Sequence, residues 1–149
     1  MVKIMDFISD SLQATDDIAR QIASQIKPGD IIAFSGDIGV GKTTLTRSIV
    51  KYLGSYDFVS SPTFSLINNY KAKNNIFHFD MYRITNEDEL YSTGFFDYID
   101  GNNILIIEWF ENIKSFFNNN VINIKLTYID ENSREITITS NGDDRFWNH

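Results

Sequence analysis

The spacing of apolar residues along the first third of the chain predicts two helices with a strand between them. Isoleucine recurs at every fourth position within 15–27, which predicts a helix that Thr15 caps and Pro28-Gly29 ends. The run DIIAFS at 30–35 is typical of a short buried strand. In 42–53, Leu and Ile again recur every four residues, which predicts the second helix.

The rest of the chain has strand patterns with one helical segment between them. Residues 64–84 predict two strands joined by a polar turn, and the acidic segment 86–100 predicts a helix with Asn86 as its cap. Residues 103–109 predict a buried strand whose apolar run ends in an acid, Glu108. Strict alternation in 121–129 and 134–140 predicts an antiparallel pair. We therefore predict an α/β protein with a mixed sheet and antiparallel strands near the C-terminus.

Composition and charge narrow the class of protein. The 149 residues predict one domain over 1–149, with 42% hydrophobic and 22% charged residues. There is no cysteine and no apolar run of membrane-spanning length, and acids interrupt the N-terminus, so we expect a cytoplasmic protein without a membrane partner. The net charge of −7, with only 13 Lys and Arg, argues against autonomous binding to RNA. Any RNA substrate is expected to be held by a partner.

The segment GDIGVGKT at 36–43 matches the phosphate-binding pattern G-x-x-x-x-G-K-[ST] at every fixed position, between a predicted strand and a predicted helix. Its glycines allow backbone N–H groups to approach a polyphosphate closely, and the helix N-terminus adds partial positive charge. Lys42 adds a full positive charge, and the hydroxyl of Thr43 suits Mg²⁺. The residues predicted to line the nucleotide phosphates are Asp37, Ile38, Gly39, Val40, Gly41, Lys42, Thr43 and Thr44.

Hydrolysis of a bound nucleotide also needs an acid at a strand end, and two residues qualify. Asp80 lies in FHFDMYR and Glu108 ends ILIIE, where a carboxylate is a poor packing residue. An alternative for Asp80 is a rim charge paired with Arg83. From composition alone, His78 is as readily a structural strand residue as a functional one, and Trp109 could either stack on a base or pack.

Four motifs in order resemble the bacterial TsaE family, formerly called YjeE, the small ATPases of the tRNA threonylcarbamoyladenosine pathway. They are GDIGVGKTT (36–44), SPTF (61–64), HFDMYR (78–83) and IEW (107–109). The first is shared by many nucleotide-binding proteins, whereas the other three in this order are far more specific. The resemblance covers roughly 36–109 and implies a P-loop NTPase-like three-layer fold.

The resemblance also implies ligands, partners and roles. It implies ATP with Mg²⁺, partner subunits like TsaD and TsaB, and modification of tRNA at position 37, with tRNA handled only through those partners. It implies catalytic roles for Lys42, Asp80 and Glu108, metal contacts from Thr43, Asp80 and Glu108, and a place for Trp109 close to the nucleotide. Thr63 would belong to a switch-like loop. Which of Asp80 and Glu108 positions the attacking water is left open.

Two other functions are compatible with a P-loop. A small-molecule kinase would use Asp80 as a base, but the five arginines do not cluster in the sequence as an arginine-rich lid would require. A binding switch would hold nucleotide without cleaving it. The absence of an N-K-x-D guanine signature favours ATP over GTP.

Overall fold

The computed structural model describes residues 2–36, 41–60, 62, 67–117 and 120–141, with the backbone alone described at 2–4 and 141. In this part of the chain the strands are β1 (Val2–Ser9), β2 (Ile31–Ser35), β3 (Ile67–Tyr70), β4 (Ile76–Asp80), β5 (Ile104–Glu108), β6 (Ile122–Tyr128) and β7 (Arg134–Asn141). The α-helices are α1 (Leu12–Gln25), α2 (Lys42–Tyr52) and α3 (Glu87–Ser92). Short 3₁₀ helices cover Phe95–Tyr98, Phe110–Asn112 and Lys114–Phe116.

The strands form a mixed sheet with the order β1-β7-β6-β2-β5-β4-β3. Its four central strands, β6, β2, β5 and β4, are mutually parallel, whereas β3 pairs antiparallel with β4, and β7 pairs antiparallel with both β6 and β1. The predicted fold class, a mixed α/β fold with antiparallel C-terminal strands, is confirmed. Strand β2, which leads into the P-loop, therefore lies near the middle of the sheet.

Apolar side chains cover both faces of the sheet. On one face, Ile32 and Ile106 pack in a buried cluster with residues of α1 and α2, among them Leu45 and Ile49 of α2. On the other face, Phe79 and Ile107 pack with residues of α3 and the 3₁₀ helices. Fully burying one such side chain contributes about 1.5–3 kcal/mol, so both layers fix the sheet in place. Across the described part of the chain, no helix combines the length and the apolar character that a membrane span requires.

The predicted strands and the P-loop helix agree with the structure within a few residues, but the first helix begins earlier than predicted. Its cap is Ser11, whose Oγ accepts a hydrogen bond from the N–H of Ala14 at 3.0 Å. Thr15, the predicted cap, is buried and hydrogen-bonds Ser9. A serine one turn upstream satisfies the free amides equally well, and α1 follows β1 after a two-residue connection.

Two further differences concern local pattern. Strand β1 was not predicted; it forms because its residues pair along their whole length with β7, from Val2↔Asn141 to Ser9↔Arg134. The predicted helix over 86–100 has Asn86 as its cap, as expected, but ends at Ser92. Gly94 then adopts a left-handed φ of 75°, which L-residues disfavour, and a 3₁₀ helix follows.

Candidate nucleotide-binding and active site

The sheet brings the P-loop and the two predicted acids to one edge. Strands β2, β5 and β4 are parallel neighbours, with Phe34 opposite Glu108 and Asp80 opposite Glu108. Opposed residues point to the same face of a sheet, so both carboxylates lie on the face that carries α2. The carboxyl ends of parallel strands are where open α/β sheets bind ligands. Residues far apart in sequence are therefore assembled beside the predicted phosphate site.

The two ends of the P-loop are joined by its lysine. Strand β2 ends at Ser35, and α2 begins at Lys42, after Gly41 in a left-handed conformation with a φ of 104°. The Lys42 ammonium donates a hydrogen bond to the carbonyl oxygen of Gly36 at 2.8 Å. This contact holds the ammonium at the mouth of the loop. A nucleotide phosphate would offer the same donor a charged acceptor.

The residues predicted to line the phosphates divide into those at the start of α2 and those in the loop before it. Thr43 and Thr44 lie half-buried in the first turn of α2, where backbone amides have no partner within the helix. The predicted binding residues Asp37, Ile38, Gly39 and Val40 lie outside the described residues, as does Thr63 of the predicted switch-like loop. Their roles stay predictions.

A buried chain of polar side chains holds Glu108. One of its oxygens, Oε2, lies 2.8 Å from Nε2 of His78, and Nδ1 of the same ring lies 2.9 Å from the hydroxyl of Tyr70. Tyr70 in turn donates to the carbonyl oxygen of Ser60 at 3.1 Å. Glu108 is 8% exposed and His78 is 1% exposed. A 2.8 Å contact between a ring nitrogen and a carboxyl oxygen requires a proton between them, so this pair fixes the orientation of the acid.

The environment of Tyr70 keeps its own hydroxyl protonated. Burial is the main cause that raises the pKa of the Tyr70 hydroxyl above its usual value, opposed by a hydrogen bond from Asn68. The hydroxyl is therefore neutral at physiological pH and can donate one hydrogen bond. For His78 the sequence left a structural and a functional role equally open. The structure places it against Glu108, where it positions a candidate site residue.

Asp80 is not the rim charge that its neighbour Arg83 suggested. Asp80 is 4% exposed, and no ion pair joins the two side chains within 4.0 Å in the described part of the chain. Instead, Oδ1 of Asp80 accepts a hydrogen bond from the N–H of Tyr82 at 2.8 Å. This local turn holds the carboxylate at the end of β4, beside Glu108.

Trp109 has an unusual backbone. Its φ of 60° is the one positive value at a non-glycine residue among those described. Such a conformation costs about 1–3 kcal/mol and persists where surrounding contacts impose it. Here the indole packs on Tyr82, with ring centroids 4.9 Å apart, and Asn112 donates to the carbonyls of Met81 and Tyr82. The Lys42 ammonium lies 5.9 Å from the indole centroid, so Trp109 lies close to the lysine of the P-loop.

One residue near the P-loop was not predicted. The side chain of Arg134, at the start of β7, lies along Gly41: a Cβ built on that glycine would lie 3.6 Å from both Cδ and Nη1 of the arginine. In the sequence the two residues are 93 positions apart, and the arginine stands in a regular strand pattern. No local signal could have linked it to the loop.

The donor set fits Mg²⁺ bound together with a nucleotide. Thr43, Asp80 and Glu108 offer oxygen ligands, which this cation prefers. Among the described residues, no group of three or more His, Asp or Glu side chains is arranged to hold a metal ion alone. Magnesium usually keeps several waters and takes one or two carboxylates together with substrate phosphates, so the arrangement suits this mode of binding.

We predict that His78→Phe destabilises the fold because it removes the hydrogen-bond partner of Glu108. The phenyl ring fills the space but leaves a buried carboxyl group without its partner, at a cost of about 1–3 kcal/mol. Urea unfolding of the two single variants His78→Phe and Glu108→Leu and of the double variant measures the coupling. The double variant should be less destabilised than the sum of the single variants. Strict additivity would show that the two side chains do not support each other.

Comparisons with known proteins identify the family. The model of the family described as Threonylcarbamoyl adenosine biosynthesis protein TsaE matches residues 9–136. A Rickettsia conorii protein named tRNA threonylcarbamoyladenosine biosynthesis protein TsaE is 39% identical over 133 residues, covering 88% of this chain and 75% of that protein. A Bacillus subtilis protein of the same name is 34% identical over 131 residues, covering 87% of this chain and 82% of its own length.

The fold agrees with a solved relative. The crystal structure of YdiB from Bacillus subtilis superimposes with a TM-score of 0.77 at 30% sequence identity, over 95% of this chain and 88% of that one. The resemblance carried by the four motifs is thereby confirmed along nearly the whole chain. The chain belongs to the TsaE family of threonylcarbamoyl adenosine biosynthesis proteins.

Proposed function

We propose that this protein binds ATP with Mg²⁺ and hydrolyses it in support of threonylcarbamoyladenosine formation at the adenosine next to the tRNA anticodon. The observation that carries the proposal is the hydrogen bond from Lys42 to the carbonyl oxygen of Gly36, which joins the two ends of the P-loop. Asp80 and Glu108 lie at the same edge of the sheet. Both carboxylates are buried, and a charge at that depth is costly unless it has a use. Membership of the TsaE family supports the pathway and favours this function over a small-molecule kinase.

In this proposal each residue has a distinct part. Lys42 transfers its hydrogen bond from the Gly36 carbonyl to a phosphate oxygen, and Thr43 and the carboxylates hold the metal shell. Bound Mg²⁺ would neutralise charge that develops on the phosphates. His78 keeps one oxygen of Glu108 engaged at 2.8 Å, which leaves the other free to orient a water molecule. Trp109 packs against the site and limits access of solvent to Lys42.

The proposed partners are subunits like TsaD and TsaB, with tRNA handled by them. The net charge of −7 opposes direct binding to the phosphates of RNA. An arginine supplied by a partner raises the rate of such hydrolysis about 10³- to 10⁵-fold. We therefore infer that the isolated chain turns over slowly and that docking to the partners completes the site.

ATP hydrolysis with and without purified TsaD and TsaB tests the proposal. We expect slow release of phosphate by the chain alone and a clear rise when both partners are present. In cells depleted of the protein, the threonylcarbamoyl mark on tRNA should fall and return on re-expression. Brisk hydrolysis by the isolated chain would contradict the dependence on partners, and an unchanged mark would contradict the proposed function.

A further inference from the structure

The guanidinium of Arg134 lies against Gly41 of the P-loop, and one of its nitrogens has no partner. Its Nε is buried and has no hydrogen-bond partner, the one such side-chain atom among the described residues. The same Nε would lie 3.7 Å from a Cβ built on Gly41, and Nη1 and Cδ would lie 3.6 Å from it. Buried polar atoms of proteins are nearly always hydrogen-bonded, so an unpaired one needs an explanation.

The charges around Arg134 make an unpaired guanidinium unfavourable there. In the described part of the chain, no carboxylate lies within 4.0 Å of it, since the ion pairs found involve other residues. Gly41 precedes the first residue of α2, where the helix dipole is positive. Lys42 adds a second cation at the same end of the helix. Three positive features therefore lie at the start of α2, which is the arrangement expected of an anion site.

The sheet holds the backbone of Arg134 in place before any ligand arrives. Arg134 is the first residue of β7 and is paired in register with Tyr128 of β6 on one side and Ser9 of β1 on the other. A strand paired on both sides positions a side chain more firmly than a loop does, and the planar guanidinium adds a rigid set of donors. Little order has to be imposed when an anion binds.

We propose that Arg134 binds a phosphate oxygen of the nucleotide held by the P-loop. The inference rests on the proposed function, because it assigns a second cation to the same polyphosphate. It is chemically simple: guanidinium N–H groups donate to phosphate oxygen, and no bond is made or broken. Arginine suits this task because its donors match phosphate geometry and its charge is permanent.

The test compares the affinities of Arg134 variants for ligands with and without a base. Titration calorimetry measures the binding of MgATP, MgADP and magnesium tripolyphosphate to the wild-type chain, Arg134→Gln and Arg134→Met. Losing a charge-assisted hydrogen bond should lower the affinity for each ligand about 10- to 100-fold. The methionine variant keeps an unbranched stem along Gly41, so it separates lost charge from lost packing. Arg20→Gln, on the exposed side of α1, is the matched control and should bind like wild type.

Each remaining outcome overturns the inference. Unchanged affinity in both Arg134 variants, with intact thermal unfolding, shows that the side chain only packs on Gly41. If the variants bind ATP and ADP more weakly but bind tripolyphosphate with unchanged affinity, the guanidinium contacts the nucleoside and not a phosphate. If the wild-type chain binds none of the three ligands, the proposed function fails as well, which distinguishes that failure from a failure of Arg134 alone.

Discussion

Replacing Lys42 with alanine is expected to have the largest effect on nucleotide binding and turnover. The ammonium lies within 2.8 Å of the Gly36 carbonyl, at the mouth of the P-loop, where it can exchange that neutral acceptor for a phosphate oxygen. A hydrogen bond to a charged group contributes about 1.5–3 kcal/mol, so affinity for MgATP should fall about 10- to 100-fold. Because phosphate charge shifts in the transition state, hydrolysis with the partners should fall further, by about 10²–10³.

A matched control is available on the same helix. Lys51 lies at the last turn of α2, is exposed, and pairs with Asp16 at 2.9 Å. Lys51→Ala removes an identical side chain from α2 without touching the P-loop, and exposed ion pairs contribute little to stability. Affinity and turnover should stay at the wild-type level. Equal losses in the two variants would mean that overall charge, and not the position of Lys42, governs binding.

Replacing Glu108 with glutamine is expected to slow turnover strongly and leave nucleotide binding nearly intact. Glutamine keeps the shape of the side chain, and its amide can hydrogen-bond Nε2 of His78 either as donor or as acceptor. It loses the negative charge that, in the proposed mechanism, orients water and completes the metal shell. Positioned acid–base groups contribute about 10²–10⁴ in rate, so hydrolysis with the partners should fall at least about 100-fold. Phosphate release and calorimetry on the same preparation separate the two effects.

Variants of two other acids show whether the loss of turnover is specific to Glu108. Glu111, exposed in the following 3₁₀ helix, is the control: Glu111→Gln should hydrolyse ATP normally. Asp80→Asn retains an acceptor for the N–H of Tyr82, so its effect also reports charge and not folding. If Glu108→Gln turned over normally and Asp80→Asn did not, the water-positioning role would belong to Asp80. If both turned over normally, hydrolysis would depend on neither acid alone, which would contradict their proposed catalytic roles.

The parts of the site that are local in sequence were predictable. The P-loop pattern names its own residues because consecutive backbone amides and one lysine do the binding. Glu108 and Asp80 each end an apolar run, and a charge at that position is costly unless it has a use. That the two lie side by side follows from parallel pairing of their strands, which the alternation of strands and helices favours.

The contacts that cross the sheet were not predictable from one sequence. His78 stands in an ordinary strand pattern, and only the pairing of β4 with β5 shows that its ring meets Glu108. Arg134 is equally unmarked until β7 pairs with β6 and β1 and carries its side chain to Gly41. The left-handed backbone of Trp109 is imposed by Tyr82 and Asn112 through contacts that no local rule encodes. These are products of tertiary packing.

Calorimetric titration of MgATP into the intact wild-type chain tests the central claim most directly. The account predicts heat that saturates at one nucleotide per chain and disappears when excess magnesium tripolyphosphate occupies the P-loop first. It also predicts heat from MgADP, because the loop and Lys42 hold phosphates common to both ligands. No saturable heat from either nucleotide, with a chain shown to be folded, would contradict the account.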